Sequence, residues 1–237
     1  MRIVSLVPSW TEWLFDLGCG DEVVGLTTFC VHPRERWRAT ERVGGTKRVH
    51  VERVRALAPD LVIANREENV REQVEALAAF VPVLLTDVPD VPTAWTEMQR
   101  IAEAVGRGAS GRVWLDQIQT AWGTPRPVTR PVAYLIWAEP WMAAGGDTYI
   151  ASVLRWWGGQ NIFDALPRYP TVDGTEPAWQ LQPEVLLSSE PFPFQPAHAA
   201  PWRQRGLDVR FVDGEAFSWY GSRMWHARAT LDAWARG

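Results

Sequence analysis

The chain has little of what marks several common functional classes. Lys47 is its only lysine among 24 basic residues, and 28 acidic residues leave a net charge of −4. Nucleic-acid-binding proteins neutralise phosphates with clustered positive charge, so this balance predicts no nucleic-acid partner. No apolar run approaches the roughly 18 residues that a membrane-spanning helix needs. We therefore expect a globular protein of 237 residues with a substantial core.

Signatures of catalysis are also missing. The sequence has no GxSxG elbow, no phosphate-binding loop and no GxGxxG motif that follows a predicted strand. Its two cysteines, Cys19 and Cys30, form no CxxC motif and fix no cellular compartment. These absences predict a protein that is not an enzyme and requires no cofactor.

The four histidines share no metal-binding spacing. A metal site assembled across loops from His32, His50 and Glu215 remains open, because a fold can bring distant residues together. This alternative predicts a metal-dependent enzyme or a receptor for a bare metal ion.

What the chain has in excess is tryptophan, at 15 of 237 residues. A GC-rich genome favours such a composition, and aromatic rings also line sites for large flat ligands. Position separates the two explanations. Five tryptophans lie on apolar faces of predicted helices, where packing is expected: Trp13, Trp95, Trp114, Trp157 and Trp234. Four others follow predicted strands, where a ligand is expected: Trp10, Trp137, Trp141 and Trp219.

Apolar periodicity predicts strands that alternate with helices in both halves of the chain. This pattern is typical of an α/β protein with two Rossmann-like lobes and central parallel sheets. We place the lobes at 1–92 and 128–237 and a helical connector at 93–127. Ser9 and Glu12 have the spacing of a capping box at the start of the first helix.

Ligands of open α/β sheets bind outside the carboxyl ends of the strands. The segment Asp213–Tyr220 follows the last predicted strand and is interpreted as a loop that combines acidic, hydroxyl and aromatic side chains. Trp137–Met142 offers a similar mixture after an earlier strand. Both segments are candidate ligand contacts.

Several motifs carry a family resemblance that covers nearly the whole chain. They are Ser5-Leu6-Val7-Pro8-Ser9-Trp10-Thr11-Glu12, Val43-Gly44-Gly45, Leu57-Ala58-Pro59-Asp60-Leu61-Val62-Ile63, Gly158-Gly159-Gln160-Asn161 and Gln182-Pro183-Glu184-Val185. In this order and spacing they resemble class III substrate-binding proteins of ABC importers, and the cobalamin-binding branch most closely.

The resemblance implies two α/β lobes joined by a long backbone helix, with a metal chelate held in the cleft between them. It also implies docking on an ABC permease through Glu52 and Glu176, a monomeric state and a location in the periplasm or cell envelope. No signal peptide is recognisable at the start of the chain, so the cytoplasm is the expectation if nothing has been removed.

The chain departs from the cobalamin branch at several cleft positions. It has His32, Thr46 and Met142 where that branch has aromatic residues, and Trp219 replaces a basic residue, whereas Glu215 keeps an acidic one. The expected ligand contacts combine these positions with the aromatic residues that follow strands. They are Trp10, His32, Thr46, Arg66, Trp137, Trp141, Met142, Glu215, Trp219 and Tyr220.

The predicted ligand is cobalamin or a similar metal chelate. A ferric siderophore or haem, with His32 as an axial ligand, is the alternative within the same fold. A further alternative is an interaction module whose cleft is filled by tryptophan side chains.

Overall fold

The computed structural model describes residues 1–33 and 40–237. They form two compact units, each assembled from separate stretches of chain. The first unit comprises Met1–Val88, Pro92–Thr120 and Tyr220–Arg223, and the second comprises Pro89–Val91, Ala121–Trp219 and Met224–Gly237.

The elements up to the second long helix build most of the first unit. In chain order they are β1 (Ile3–Ser5), α1 (Pro8–Asp16), β2 (Val23–Leu26), β3 (Glu41–Arg42), β4 (Gly44–Gly45), β5 (Arg48–Val49), α2 (Val51–Ala56), β6 (Leu61–Asn65), α3 (Arg71–Ala78), β7 (Val83–Thr86), α4 (Val91–Ala104) and α5 (Gly108–Trp122).

Five strands of the first unit form a parallel sheet in the order β3-β2-β1-β6-β7. The neighbouring inner strands β1 and β6 are buried along almost their whole length, including Val4 and Val62 in the core. Strands covered on both faces read as continuous apolar runs, which is why the pattern predicts them.

The first helix begins earlier than the capping-box prediction places it. Pro8 occupies the first helical turn and Val7 is the N-cap, without a side-chain cap. Proline suits this position because it lacks an N–H and its φ is already helical. Ser9 and Glu12 therefore lie inside the helix, and the capping box is wrong.

Helices α4 and α5 cover most of the range predicted as a helical connector, 93–127. Gly106 separates them at φ +70°, and the following Arg107 donates its N–H to the carbonyl of Ala102. This is the hydrogen bond of a Schellman motif, which ends a helix and needs a left-handed residue. No helix of the described residues is both long and apolar enough to cross a membrane.

The remaining elements build most of the second unit. They are β8 (Arg130–Trp137), β9 (Met142–Ala143), α6 (Tyr149–Trp156), β10 (Gly159–Asn161), β11 (Glu184–Ser188), α7 (Pro196–Gln204), β12 (Val209–Val212), α8 (Gly214–Ser218) and α9 (Arg223–Ala235). Short 3₁₀ helices cover Gly20–Glu22 and Pro177–Leu181.

The second unit has a parallel sheet in the order β10-β8-β11-β12, and β9 pairs antiparallel with β8. Its core includes Leu135, Val185 and Leu187, all fully buried. The two parallel sheets with their helices confirm the predicted α/β fold class.

Both sheets have a point where the strand order changes direction. In the first sheet β1 is followed by β2 on one side, whereas β6 lies on the other side of β1 and is followed by β7 further out. In the second sheet β10 lies on one side of β8, and β11 lies on the other. The loops after β1 and β6, and those after β8 and β11, therefore diverge and leave a crevice in each unit.

Candidate functional site

An aromatic surface lies at the crevice of the second sheet. Trp137 ends β8 and is 41% exposed, and its ring centroid is 5.2 Å from that of Phe192, which follows β11. The two rings meet because β8 and β11 are neighbours that run in the same direction. The position after a strand, predicted for Trp137, is thus at the edge where α/β sheets bind ligands.

Further aromatic side chains pack against Phe192 and against one another. Trp141 stacks on Phe194 with centroids 5.8 Å apart and contacts the buried Trp202 at 5.2 Å. Phe192 contacts Phe194 at 4.9 Å and His198 at 5.2 Å. We call this set the aromatic cluster: Trp137, Trp141, Phe192, Phe194, His198 and Trp202. It runs from a buried base to an exposed indole, so packing holds its outer rings in place.

A carboxylate lies next to the aromatic cluster along the chain. Glu190 follows β11, and its Oε1 accepts hydrogen bonds from the Ser218 hydroxyl at 2.9 Å and from the Trp219 indole N–H at 2.5 Å. Burial raises the pKa of Glu190, these two donors oppose the rise, and Glu215 and Asp213 add to it. Glu190 was not among the predicted contacts, although its segment follows a strand, because its partners come from a distant segment.

The segment Asp213–Tyr220 is not the predicted loop. Residues Gly214–Ser218 form α8, and the Asp213 side chain caps it by accepting from the Glu215 N–H at 3.1 Å. Asp213 is a favourable N-cap, and an acidic first turn suits the helix dipole. Trp219 is only 8% exposed, because its indole turns toward Glu190.

In the first unit the corresponding edge is polar. The Thr86 hydroxyl at the end of β7 accepts hydrogen bonds from the Trp10 indole at 2.9 Å and from the Asn65 amide at 3.1 Å. Trp10 has no exposed surface, and its ring lies 4.4 Å from that of Tyr220, which is 6% exposed. Trp10 therefore packs as part of the support behind this edge.

The other predicted residues of the first unit differ in exposure. Thr46 is buried, and its carbonyl accepts from the Asn69 amide at 3.0 Å. Arg66 is exposed and pairs with Asp87 at 3.2 Å. His32 is half-buried, and it opposes the rise that burial causes in the pKa of Glu12.

Phe29 was not among the predicted contacts, although its loop follows β2. It is 59% exposed, which makes it the most exposed phenylalanine among the described residues with large apolar side chains. Met142 is half-buried in β9, where it pairs with the end of β8. An aromatic residue in a loop after a predicted strand was the available signal for Phe29.

The two predicted docking glutamates differ in their surroundings. Glu52 lies in the first turn of α2 with its side chain 83% exposed, beside Arg55 at 3.4 Å. Glu176 is half-buried and accepts from the N–H groups of Asp173 and Gly174 and from the Trp179 indole at 2.8 Å. Burial disfavours its charge, but these donors hold its pKa below the ordinary glutamate value.

Other candidate sites are not supported. Within residues 1–33 and 40–237, no three His, Cys, Asp or Glu side chains come close enough to hold a metal ion, so His32, His50 and Glu215 form no such group. Cys19 and Cys30 are both buried and free. Two open grooves of about 450 and 500 Å³ lie on α4–α5 and at the amino end of the first sheet, and neither contains a predicted ligand contact.

Comparison with known proteins adds a relationship to this geometry. A family model described as periplasmic binding protein matches residues 3–191. The vitamin B12-binding protein of Vibrio campbellii is 28% identical over 197 residues, which cover 79% of this chain and 70% of that protein.

Solved structures show the same fold. The periplasmic vitamin B12 binding protein of Vibrio cholerae matches with a TM-score of 0.78 at 21% identity, over 99% of this chain and 96% of that one. A periplasmic heme-binding protein from Roseiflexus sp. RS-1 matches with a TM-score of 0.78 at 22% identity, over 99% and 98%.

Proposed function

Since the chain belongs to the periplasmic binding protein family, we propose that it is a non-enzymatic receptor for cobalamin or a similar corrinoid. The exposed indole of Trp137 on its aromatic base is the observation that carries this proposal. A corrin ring is a large flat ligand, and rigid aromatic surfaces bind such ligands at a low cost in conformational entropy. The names of the curated relatives point to the same ligand class.

The proposed contacts lie at the carboxyl edge of the sheet in each unit. In the second unit Trp137, Trp141 and Met142 supply apolar surface, and Glu215 supplies a polar group. Trp219, whose indole N–H donates to Glu190, holds that carboxylate at the same edge. In the first unit His32, Thr46 and Arg66 orient the ligand, and Trp10 with Tyr220 supports this edge. No cofactor besides the ligand is needed for this role.

The partner we propose is an ABC permease in the cell envelope, and the protein then works as a monomer in the periplasm. Glu52 is accessible for pairing with permease arginines because its side chain is 83% exposed. Glu176 would dock through the surface of the turn that it holds together.

A haem or ferric siderophore receptor is the second candidate, and the likeness to heme-binding protein structures favours it. In this version His32 binds the iron, which shifts the Soret band on haem addition, and His32→Ala abolishes the shift.

Calorimetric titration with cyanocobalamin, followed in parallel by tryptophan fluorescence, tests the main proposal. We expect saturable heat and quenching, since several tryptophans lie near the proposed contacts. Absence of both signals at high micromolar ligand would overturn the corrinoid assignment. Haemin titrated in the same way separates the second candidate.

A further inference from the structure

Glu190 lies at the crevice of the second sheet, and along the chain it stands between β11 and Phe192 of the aromatic cluster. The crevice opens between β8 and β11, and Glu190 is the second residue after β11. Phe192, two residues further, contacts the exposed Trp137. Glu190 and Phe192 therefore follow the same strand, at the same end of the sheet as the surface on which the proposed ligand stacks.

The orientation of this carboxylate is fixed by one of its oxygens. Both hydrogen bonds, from Ser218 and Trp219, reach Oε1. Gly214 packs so closely that a Cβ there would lie 2.5 Å from the Glu190 Cγ. Two donors and a close backbone hold the side chain in a single position, which is how a binding site is preorganised.

The second oxygen is available to a ligand. Among the described residues Oε2 accepts no hydrogen bond, and it is not fully buried. A carboxylate oxygen is an acceptor only, so its natural partner is an N–H or O–H donor. A hydrogen bond to a charged acceptor is roughly twice as strong as one between neutral groups.

The loops around Glu190 add negative charge. The three segments that follow β8, β11 and β12, which are 138–144, 189–194 and 213–220, contain four acidic residues and no lysine or arginine. They are Glu139, Glu190, Asp213 and Glu215. Like charges disfavour an anionic ligand at such an edge, whereas neutral amides meet no repulsion.

We propose that Glu190 is a specificity residue, which accepts a hydrogen bond from a peripheral amide of the ligand and excludes ligands with carboxylates at that place. This inference rests on the proposed function and names the property that distinguishes ligands within it. Corrinoids such as cobalamin carry primary amides around the ring. Haem carries two propionates, and it is disfavoured at this edge for the same reason.

A pair of corrinoids that differ in these groups tests the inference. Calorimetry compares dicyanocobinamide, which keeps the primary amides, with dicyanocobyrinic acid, which has carboxylates in their place, on the wild type and on Glu190→Gln; neither ligand carries the nucleotide of cobalamin. We expect the wild type to prefer the amide ligand, and Glu190→Gln to reduce the ratio of the two dissociation constants about tenfold or more, the effect of one charge-assisted hydrogen bond. Ser218→Ala, which removes one of the two donors to Oε1, should reduce the ratio to an intermediate value.

Asp208→Asn is the matched control. It removes one negative charge from the same unit, but Asp208 is exposed and precedes β12 at the opposite edge of the sheet. We expect the ratio of its two dissociation constants to equal that of the wild type. Circular dichroism and thermal unfolding verify that Glu190→Gln is folded, because a glutamine oxygen can still accept from Ser218 and Trp219.

Failure of the specificity role and failure of the proposed function give different results. A wild type that binds dicyanocobinamide, with the same ratio in Glu190→Gln, would overturn the specificity role and leave the proposed function standing. Equal affinity of the wild type for both corrinoids would do the same. A wild type that binds neither corrinoid would overturn the proposed function, and the inference with it.

Discussion

Glu12 and Arg223 form a two-pronged ion pair inside the first unit, although 211 positions separate them in the sequence. The Arg223 Nε lies 3.0 Å from Oε2, and Nη2 lies 2.6 Å from Oε1. Both side chains are largely buried, with 9% of Glu12 and 17% of Arg223 exposed. The pair ties α1 to the segment Tyr220–Arg223, which returns to this unit near the end of the chain.

We expect Arg223→Ala to lower the free energy of unfolding by about 3–5 kcal/mol at neutral pH, because it leaves a buried carboxylate without its partner. Burial already raises the pKa of Glu12, and Arg223 and His32 oppose the rise. Without Arg223 the native pKa should rise further, so protonation as the pH falls should restore part of the lost stability. Urea unfolding at pH 7 and pH 5 measures both effects.

Arg71→Ala is the control for this prediction. Arg71 pairs with Glu75 at 2.7 Å on the surface of α3, with its side chain 85% exposed. Exposed pairs of this kind add little to stability, so we expect no measurable change. Equal effects of the two substitutions would contradict the role assigned to the buried pair.

The pKa of Glu190 predicts a pH dependence of stability. Its pKa is raised in the folded protein, so between the unfolded and the folded pKa the native state binds more protons than the unfolded state. Stability contributed by this group therefore falls as the pH rises through that window. Glu190→Gln should lose this component, and its stability relative to the wild type should increase from pH 4.5 to pH 7.5. A constant difference, measured by urea unfolding, would contradict the raised pKa.

Trp137 and Trp225 offer a matched pair for ligand binding, since both are 41% exposed and belong to the second unit. Only Trp137 belongs to the aromatic cluster, whereas Trp225 lies on α9. We expect Trp137→Ala to weaken cyanocobalamin binding about tenfold, in the range of an aromatic contact residue. Trp225→Ala should leave the dissociation constant unchanged in the same calorimetric assay.

The two proposed docking residues should respond differently to alanine substitution. Glu52→Ala should lower uptake by the reconstituted permease and leave ligand affinity and stability unchanged, because the side chain is exposed. Glu176→Ala should lower uptake and also destabilise the second unit, since it deletes the acceptor of three N–H groups.

The pH dependence of stability provides a second measurement for Glu176. Its pKa is lowered in the folded protein, so its contribution is present above the unfolded pKa and is lost as the pH falls through the folded pKa. Glu176→Ala should flatten this acid-side loss, and Glu52→Ala should not. Full uptake in both variants would exclude these glutamates from docking.

Local pattern was sufficient for most of the fold. Apolar runs predict strands at Val209–Val212, Leu61–Ala64 and Val83–Leu85. Strand β12 begins and ends at the predicted residues, and β6 and β7 each extend one residue further at the carboxyl end. Trp13 and Trp234, assigned to packing from their helix faces, are 0% and 3% exposed. Such features depend on neighbours within one or two turns or strand steps, and a single sequence contains these neighbours.

The short elements were missed because prediction depends on local periodicity. The strands β3, β4, β5, β9 and β10 have two or three residues each, so they show no periodicity. Helix α8 has five residues and was interpreted as a loop, because its polar cap and aromatic end are equally typical of a loop.

The candidate site depended on relationships that no local pattern contains. Trp10 follows a strand as predicted, but hydrogen bonding to Thr86 and contact with Tyr220 leave it no exposed surface. Glu190 is unremarkable in the sequence, and its role follows from two donors that lie 28 and 29 positions away. Residue types and periodicity established the α/β class and the strand ends at which a ligand is expected, and the ordered motifs carried the resemblance to the family. Strand order and long-range packing established which side chains at those ends are buried, paired or open to a ligand, because exposure and hydrogen bonding are properties of neighbours in space.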